Sequence, residues 1–307
     1  MKPILYLGLF ILSLIWGASF FFIKTLLVHY TPIGIVFYRS LFGTVIILLL
    51  MLFLRKKIWP NKKDWKILIL IGLLNSVIPW SLIGYSETII SSGLASILNA
   101  TTPIWTLIIG ILLFSSKLNR WQIVGIVSGF AGIFILLDID FSQLQINNIS
   151  GFLGMIIAAI FYGVSSHLSR KYFQSLSAYQ ITFFTLAAST GISAAILAVT
   201  DSFKWSLFIA EPATLFSFLG LGSLGSGLAL VIYYYLIQKG SAEFASLVTY
   251  LVPVTALFWG AAILGEAIHP SMIFGLALIL SGVYISGRKN KRTVKPLAPM
   301  TGQQQDA

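Results

Sequence analysis

Polar groups that could recognise a ligand lie inside long apolar runs of this chain. Two such runs, 91–114 and 241–264, are each interrupted near the middle by a proline, Pro103 and Pro253. Proline has no N–H to donate to the carbonyl four residues earlier, so each run contains a backbone acceptor without its helical donor. Paired apolar segments that are broken at matching positions of two halves are typical of the substrate site of a secondary transporter.

The backbone carbonyls that prolines free in this way belong to polar residues. Pro79 interrupts a third apolar run, and the three prolines together free the carbonyls of Asn75, Asn99 and Thr249. One interpretation is that these groups face a wet cavity and bind substrate. The other is that the Asn and Thr side chains only help to satisfy the kinked backbone. The sequence leaves both open.

Three charged residues lie within or at the ends of apolar runs. Arg39 lies about six residues into its run, roughly 9 Å deep at about 1.5 Å per residue, where charge usually has a function or a partner. Lys24 and Glu87 end two other runs. One hypothesis is that Lys24 or Arg39 attracts a substrate carboxylate, with Glu87 as gate partner. The alternative is a Lys24 that extends to the membrane surface and a structural Arg39–Glu87 pair.

Aromatic residues near the middle of several runs could line the same cavity. Trp16 and Tyr162 lie deeper than the interfacial belts where Trp and Tyr usually occur, although helix packing is the more common explanation for a single ring. The combined positions predict a gate formed by Lys24 and Glu87. They predict a substrate site that contains Trp16, Ser19, Arg39, Asn75, Trp80, Tyr85, Asn99, Thr102, Pro103, Tyr162, Tyr235, Thr249, Tyr250 and Pro253.

The composition requires that these residues be positioned by helices in a membrane. Hydrophobic residues make up 57% of the chain and charged residues 9%, with a mean hydropathy of +0.92. A soluble domain carries roughly 25% charged residues, and apolar runs of about 20 residues match the thickness of a bilayer. We therefore expect an all-α polytopic membrane protein in contact with membrane lipid. The sequence contains no cysteine, which excludes disulfides and thiolate catalysis.

The apolar runs predict ten spans, and the basic residues predict their orientation. The spans are 4–25, 33–54, 66–86, 92–114, 121–137, 151–170, 178–200, 213–236, 242–264 and 270–287. Lys and Arg cluster in the connections on the side of the two termini, which the positive-inside rule makes cytoplasmic. We expect a multi-pass protein of the plasma membrane, the inner membrane in a bacterium. The net charge of +11 then reflects topology and needs no nucleic-acid partner.

Matching residues in the two halves indicate a duplication. An offset of 150 pairs Pro103 with Pro253, Gly125 with Gly275 and Gly132 with Gly282, and an offset of 146 pairs Trp16 with Tyr162 and Lys24 with Arg170. Five spans per half is an odd number, so the second half enters the membrane from the opposite side. We predict two inverted five-helix repeats, 1–140 and 141–290, followed by a disordered cytoplasmic tail, 291–307.

The order and spacing of several motifs resemble those of the EamA-type transporters of the drug/metabolite transporter superfamily. The first run reads Trp-Gly-Ala-Ser-Phe-Phe-Phe-Ile-Lys over 16–24, Arg39 follows in the second, and Ala95-Ser96 before Pro103 is repeated as Ala245-Ser246 before Pro253. The resemblance covers 4–287. It implies ten helices, a central cavity lined by spans 1, 3, 4, 6, 8 and 9, and export of amino acids or related metabolites.

One connection departs from the family pattern. Gly265-Glu266 matches the connection between the ninth and tenth spans, whereas the corresponding connection of the first half reads Ser115-Ser116-Lys117. Under the inverted topology Lys117 lies on the cytoplasmic side, as the charge rule requires. This difference makes Glu266 look structural rather than part of ion coupling.

The remaining polar residues do not form a catalytic or metal-binding pattern. His29, His167 and His269 have no metal-ligand spacing, and we interpret each as a solvated loop or helix-end residue. The GxGxxG spacing of 220–225 lies within an apolar run and lacks the strand that a dinucleotide site needs, so close helix packing explains it better. We expect no enzyme activity, no cofactor and no metal.

These observations predict a secondary transporter that exports amino acids or related small metabolites by alternating access through a central mid-membrane cavity. Efflux of lipophilic cations or drugs is the alternative within transport, but span 1 has no acidic residue. A lipid scramblase is the alternative from another class. Protons are one candidate coupling ion, although no buried acidic residue is evident in the sequence. The sequence leaves the substrate, the direction and the oligomeric state open.

Overall fold

The computed structural model describes residues 3–116, 119–137, 148–255 and 270–286, and all regular elements in these ranges are helical. Over the described residues, seven of the helices are long and apolar enough to cross a membrane, and three further apolar helices are shorter. In chain order the helices are α1 (Pro3–Leu26), α2 (Pro32–Phe53), α3 (Lys62–Ile89), α4 (Ser92–Phe114), α5 (Arg120–Leu137), α6 (Ile149–Tyr172), α7 (Ala178–Thr200), α8 (Pro212–Lys239), α9 (Ala242–Thr255) and α10 (Pro270–Ser286). The all-helical expectation is confirmed for these ranges, whereas the number of crossings stays a prediction.

Helix starts coincide with residues that satisfy free backbone N–H groups. Thr31 accepts a hydrogen bond from the N–H of Gly34 at the start of α2, and Ser91 does the same for Leu94 at the start of α4. Ser177 and Gln180 form a reciprocal capping box at the start of α7. Side-chain oxygens at these positions replace the helical acceptors that the first turn lacks.

Several helices are irregular where they pass the centre of the bundle. α1 is interrupted at Ala18, and α4 is interrupted between Asn99 and Thr102. α3 contains a π turn at Leu73–Val77 and α8 a π-helical segment at Leu219–Leu228. These helices also extend beyond the predicted limits of 66–86 and 213–236, because the chain remains helical through the polar residues at their ends.

Small residues allow two helix pairs to cross closely. On α5 and α10, Gly125 lies against the carbonyl of Gly282, and Gly132 lies 2.9 Å from the carbonyl of Gly275, measured from an ideal Cβ position. The lower-numbered glycine of one helix faces the higher-numbered glycine of the other, so the helices run antiparallel. α2 and α7 form the second crossing, where Ser40 and Ser189 share a hydrogen bond of 2.8 Å.

Gly125→Ala is expected to destabilise the protein by about 1–3 kcal/mol, the usual cost of overpacking. Its Cβ would lie against the carbonyl of Gly282 and 2.5 Å from the backbone nitrogen of Ser286. Gly191→Ala is the matched control, because no atom lies within 4 Å of its Cβ position. The free energy of unfolding of the control should rise by about 0.5–1 kcal/mol, because alanine loses less backbone entropy on folding than glycine does. Thermal unfolding in detergent measures both, and equal effects of the two substitutions would contradict this packing.

Candidate functional site

A cavity lies at the centre of the bundle, where the irregular helices meet. It contains about 650 Å³ of empty space, part of it continuous with solvent. Residues of α1, α3, α4, α6, α8 and α9 line it, and α2 adds Arg39. Of the predicted site residues, the lining contains Trp16, Ser19, Arg39, Asn75, Trp80, Asn99, Thr102, Tyr162 and Thr249.

Arg39 supplies the positive charge of the cavity. Its side chain is only 4% exposed, its guanidinium carbon lies 3.7 Å from the centre of the Trp80 ring, and its Nε donates to the Ser226 hydroxyl at 3.0 Å. Among the described residues, it forms no ion pair with a carboxylate, so the predicted Arg39–Glu87 pair is not formed. A guanidinium has five N–H donors, and one is used by Ser226.

Amide and hydroxyl groups surround the cavity near the helix interruptions. Asn75 Oδ1 accepts a hydrogen bond of 2.9 Å from Ser165. Within the described residues, the Ser19 hydroxyl and Asn99 Oδ1 are buried and have no hydrogen-bond partner. The backbone carbonyl of Asn99 accepts from the Thr102 hydroxyl at 2.6 Å, so this carbonyl is satisfied by a side chain of its own helix, whereas the role of the Asn99 side chain stays a prediction.

Aromatic rings from α1 and α8 form part of the cavity wall. Trp16 donates from Nε1 to the Gly225 carbonyl at 2.9 Å, and its ring centre lies 5.3 Å from that of Tyr233. The Tyr233 hydroxyl shares a hydrogen bond of 2.7 Å with Ser166. Tyr233 was not among the predicted site residues, although the offset of 150 pairs it with Ile83, which also lines the cavity.

Five predicted site residues do not line the cavity. Tyr85 is 45% exposed and Tyr235 is 37% exposed. Pro103 and Pro253 are buried next to the lining residues Thr102 and Val252. Tyr250 is fully buried, and its hydroxyl donates to the carbonyl of Ile126 on α5.

Tyr250→Phe should lower the free energy of unfolding by about 1 kcal/mol, because it removes one buried hydrogen bond between α9 and α5. Its hydroxyl lies 2.9 Å from the Ile126 carbonyl and does not reach the cavity lining. Substrate affinity should therefore stay within about twofold of wild type, because the stability cost is not a binding term. Thermal unfolding and transport assays on the same preparation measure both. A large loss of affinity would return Tyr250 to the substrate site.

The predicted gate residues meet, but not as an ion pair. The Lys24 ammonium donates to the backbone carbonyl of Glu87 at 2.6 Å. Lys24 is exposed at the end of its helix, so its extension to the membrane surface stays an alternative beside this contact. The Glu87 carboxylate accepts instead from the Ser92 hydroxyl at 3.0 Å, and the residue is fully buried.

A second cation makes the same kind of contact at the opposite end of the cavity. Arg170, near the end of α6, donates to the backbone carbonyl of Ile237 at 2.7 Å and also to that of Gln238, at the end of α8. The offsets of 146 and 150 carry Lys24 onto Arg170 and Glu87 onto Ile237. The two contacts, which we call the Lys24 latch and the Arg170 latch, are therefore equivalent positions of the two halves. Cations near the last carbonyls of a helix are favourable there.

Two expectations about ionisable residues need correction. Glu87 and Glu243 are buried, although the sequence showed no obvious buried acid. His167 is also buried rather than solvated, and its Nε2 lies 2.9 Å from the Thr106 carbonyl and 3.8 Å from Glu243. His29 lies 2.8 Å from Glu211, and His269 and Glu266 lie outside the described residues. In the ranges that the structure describes, no group of three potential metal ligands occurs.

Comparison with known families matches this chain twice. The model of the EamA-like transporter family covers residues 3–138 and again residues 149–288. A crystal structure of another protein superposes with a TM-score of 0.76 over 93% of this chain and 97% of its own, at 17% sequence identity, which shows a shared fold.

Curated relatives extend over most of the chain. The uncharacterized transporter YoaV of Bacillus subtilis is 26% identical over 91% of this chain and 95% of its own length. The uncharacterized inner membrane transporter YedA of Escherichia coli is 27% identical and covers 92% of each chain. A probable amino-acid metabolite efflux pump of Salmonella typhimurium is 25% identical over 66% of this chain and 71% of its own.

Proposed function

The chain belongs to the EamA-like transporter family, and from this premise we propose that it exports amino acids or related small metabolites by alternating access through the central cavity. Its relatives are named as transporters, and one of them as a probable amino-acid metabolite efflux pump. A transporter family fits the expectation that the chain is not an enzyme. The cavity is the proposed substrate site.

Arg39 is the observation that carries the proposed substrate class. A buried cation is costly unless an anion and hydrogen bonds compensate it, and among the described residues no carboxylate side chain lines this cavity. Guanidinium groups recognise carboxylates through parallel N–H donors. Trp80 and Ser226 hold the group in place from one side. A substrate carboxylate is therefore the partner that this site lacks.

The remaining groups of the lining suit the other parts of an amino acid. Asn99 Oδ1 and the Ser19 hydroxyl are buried without a protein partner, so each offers an acceptor to a substrate ammonium group. Trp16 and Tyr233 provide an apolar wall for a side chain. A cavity with few polar groups in an apolar lining is the usual form of a small-molecule site.

Pairwise contacts support the proposal that the two halves are inverted repeats. The contact between Gly125 and Gly282 becomes the contact between Gly275 and Gly132 when the offset of 150 exchanges the halves. Such mutual exchange is what a twofold axis between the halves produces. The cavity follows the same rule, since Trp16 with Tyr162 and Asn99 with Thr249 are paired lining residues. The double family match, 3–138 and 149–288, adds support.

The two latches suggest how the cavity could open to one side at a time. An inverted repeat has two equivalent packings, one open to each side of the membrane. In this structure the hydrogen bonds of the Lys24 latch and of the Arg170 latch are both formed. We assign the Lys24 latch to the extracellular end and the Arg170 latch to the cytoplasmic end. This follows from the positive-inside rule, which also places both termini in the cytoplasm.

The two rival functions make different demands on the cavity. A lipophilic cation would need a carboxylate in the lining, but the buried acids Glu87 and Glu243 lie outside it and Arg39 would repel such a substrate. A scramblase would move lipid without saturable competition by a small solute. The interpretation in which the substrate carries a carboxylate is the one that gives Arg39 a role.

Counterflow in proteoliposomes tests the proposed function. Vesicles are loaded in turn with unlabelled amino acids, and accumulation of a trace label from outside is measured. Saturable accumulation driven by one group of amino acids is the expected result and would define the substrate group. Protein-free vesicles are the control. No counterflow with any amino acid, together with movement of labelled lipid or of a lipophilic cation, would replace this function by one of its rivals.

A further inference from the structure

Glu87 is a buried acidic side chain at the Lys24 end of the cavity, and it has no counter-ion within the part of the chain that the structure describes. It is 0% exposed. Its Oε2 accepts from the Ser92 hydroxyl at 3.0 Å, while its buried Oε1 has no hydrogen-bond partner within the described residues. A single hydroxyl does not replace the hydration of an ionised carboxylate. The closed arrangement therefore favours the neutral acid over the charged form.

The charged groups that face Glu87 do not neutralise it by contact. Lys24 approaches from α1, but its ammonium is bound to the Glu87 backbone carbonyl. Arg39 approaches from α2 and attracts the carboxylate from a distance, yet neither cation forms an ion pair with it in the described part of the chain. From α4 only Ser92 reaches the carboxyl group, and α6 places Gly154 against the neighbouring Ser86.

We propose that Glu87 is a proton-binding site that controls opening of the Lys24 end. The protonated carboxyl is buried when this end is closed. Ionisation requires hydration, which the residue can obtain only if α1 and α4 separate from α3. Proton binding thus closes this end and proton release opens it. The inference rests on the proposed alternation between two open states, and it names the proton as a second ligand of the transporter.

The absence of cysteine makes this opening directly measurable. A single cysteine introduced as Val252→Cys lies in the cavity lining, and a membrane-impermeant maleimide is added to ligand-free protein from the Lys24 side. The labelling rate is measured at about pH 6 and at about pH 9. If opening is linked to the release of one proton, the ratio of open to closed protein changes by up to about tenfold per pH unit. Val28→Cys, at a position that is 75% exposed, corrects for the ionisation of the thiol itself.

The corrected labelling rate is expected to rise at least about tenfold with pH in the otherwise wild-type protein. Glu87→Gln keeps an acceptor for Ser92 but cannot ionise, so it should abolish the rise. Glu243→Gln is the matched control, because Glu243 is also buried but lies near His167 at the other end. It should leave the pH response in place.

A second variant keeps the test valid if Glu87→Gln does not fold. Ser92→Ala removes the one hydrogen bond that joins the Glu87 carboxyl group to α4 in the closed arrangement. The closed state is then weakened, so the opening should occur at lower pH than in the parent protein. A flat response in the parent protein, a response that survives Glu87→Gln, or one that Glu243→Gln abolishes would overturn the inference. Because no substrate is present, failure of amino-acid counterflow with an intact pH response would reject only the substrate assignment.

Discussion

Arg39→Gln is expected to reduce kcat/KM for amino-acid counterflow by about 30-fold to several thousand-fold. Removing one partner of a buried, hydrogen-bonded charge pair costs about 2–5 kcal/mol. Arg39 is 4% exposed, lies in the cavity lining and has no carboxylate partner among the described residues. Arg39→Lys should recover only part of the activity, because an ammonium cannot present two parallel donors.

Arg120→Gln is the matched control for this result. Arg120 begins α5, is exposed, and is not among the cavity residues. The kcat/KM of the Arg120→Gln variant should stay within about twofold of wild type, because exposed charges contribute little interaction energy. Thermal unfolding of each variant separates a loss of binding from a loss of fold. If folded Arg39→Gln protein transported amino acids with wild-type kcat/KM, Arg39 would have no role in substrate binding.

Weakening the two latches is expected to expose the cavity to opposite sides of the membrane. Lys24→Met removes the bond to the Glu87 carbonyl, and Arg170→Met removes those to Ile237 and Gln238. Hydrogen bonds to charged groups contribute about 1.5–3 kcal/mol to stability. Each substitution should therefore raise the ratio of open to closed protein at its own end of the cavity by about tenfold or more. With the Val252→Cys reporter, Lys24→Met should accelerate labelling from the extracellular side and Arg170→Met from the cytoplasmic side.

The double variant supplies the control for the latch experiment. When Lys24→Met and Arg170→Met are combined, the opposing shifts should largely cancel, because the bundle opens at only one end at a time. Within the described residues, Lys171 makes no hydrogen bond to the α8 carbonyls that Arg170 contacts, so Lys171→Met should leave labelling near the parent rate. Acceleration from the same side by both single variants would show that the latches are not opposing gates.

The sequence predicted the components of the site better than its geometry. Arg39, Asn75 and Asn99 were recognisable because polar groups are rare in apolar runs, and the structure places all three at the cavity. Tyr85 and Tyr235 were expected there and are instead exposed. A π turn adds a residue to a helix and changes the face that later residues occupy. Such turns precede both tyrosines, and helical periodicity alone does not reveal them.

Long-range contacts were the second limit of the sequence. The duplication paired Lys24 with Arg170, but no pattern showed that each cation would meet a backbone carbonyl of another helix. The burial of Glu87 was missed for a similar reason. Its position near the end of an apolar run suggested solvent, whereas packing of α1, α4 and α6 around α3 removes it from water.

Counterflow with a matched pair of solutes tests the central claim most directly. One solute is an apolar amino acid, and the other is its amide, which keeps the amine and the side chain but has no carboxylate. The account predicts saturable counterflow of the amino acid and at least about 30-fold weaker counterflow of the amide, because only the carboxylate pairs with Arg39. Equal or better transport of the amide, which is a cation, would contradict a carboxylate site and favour cation efflux.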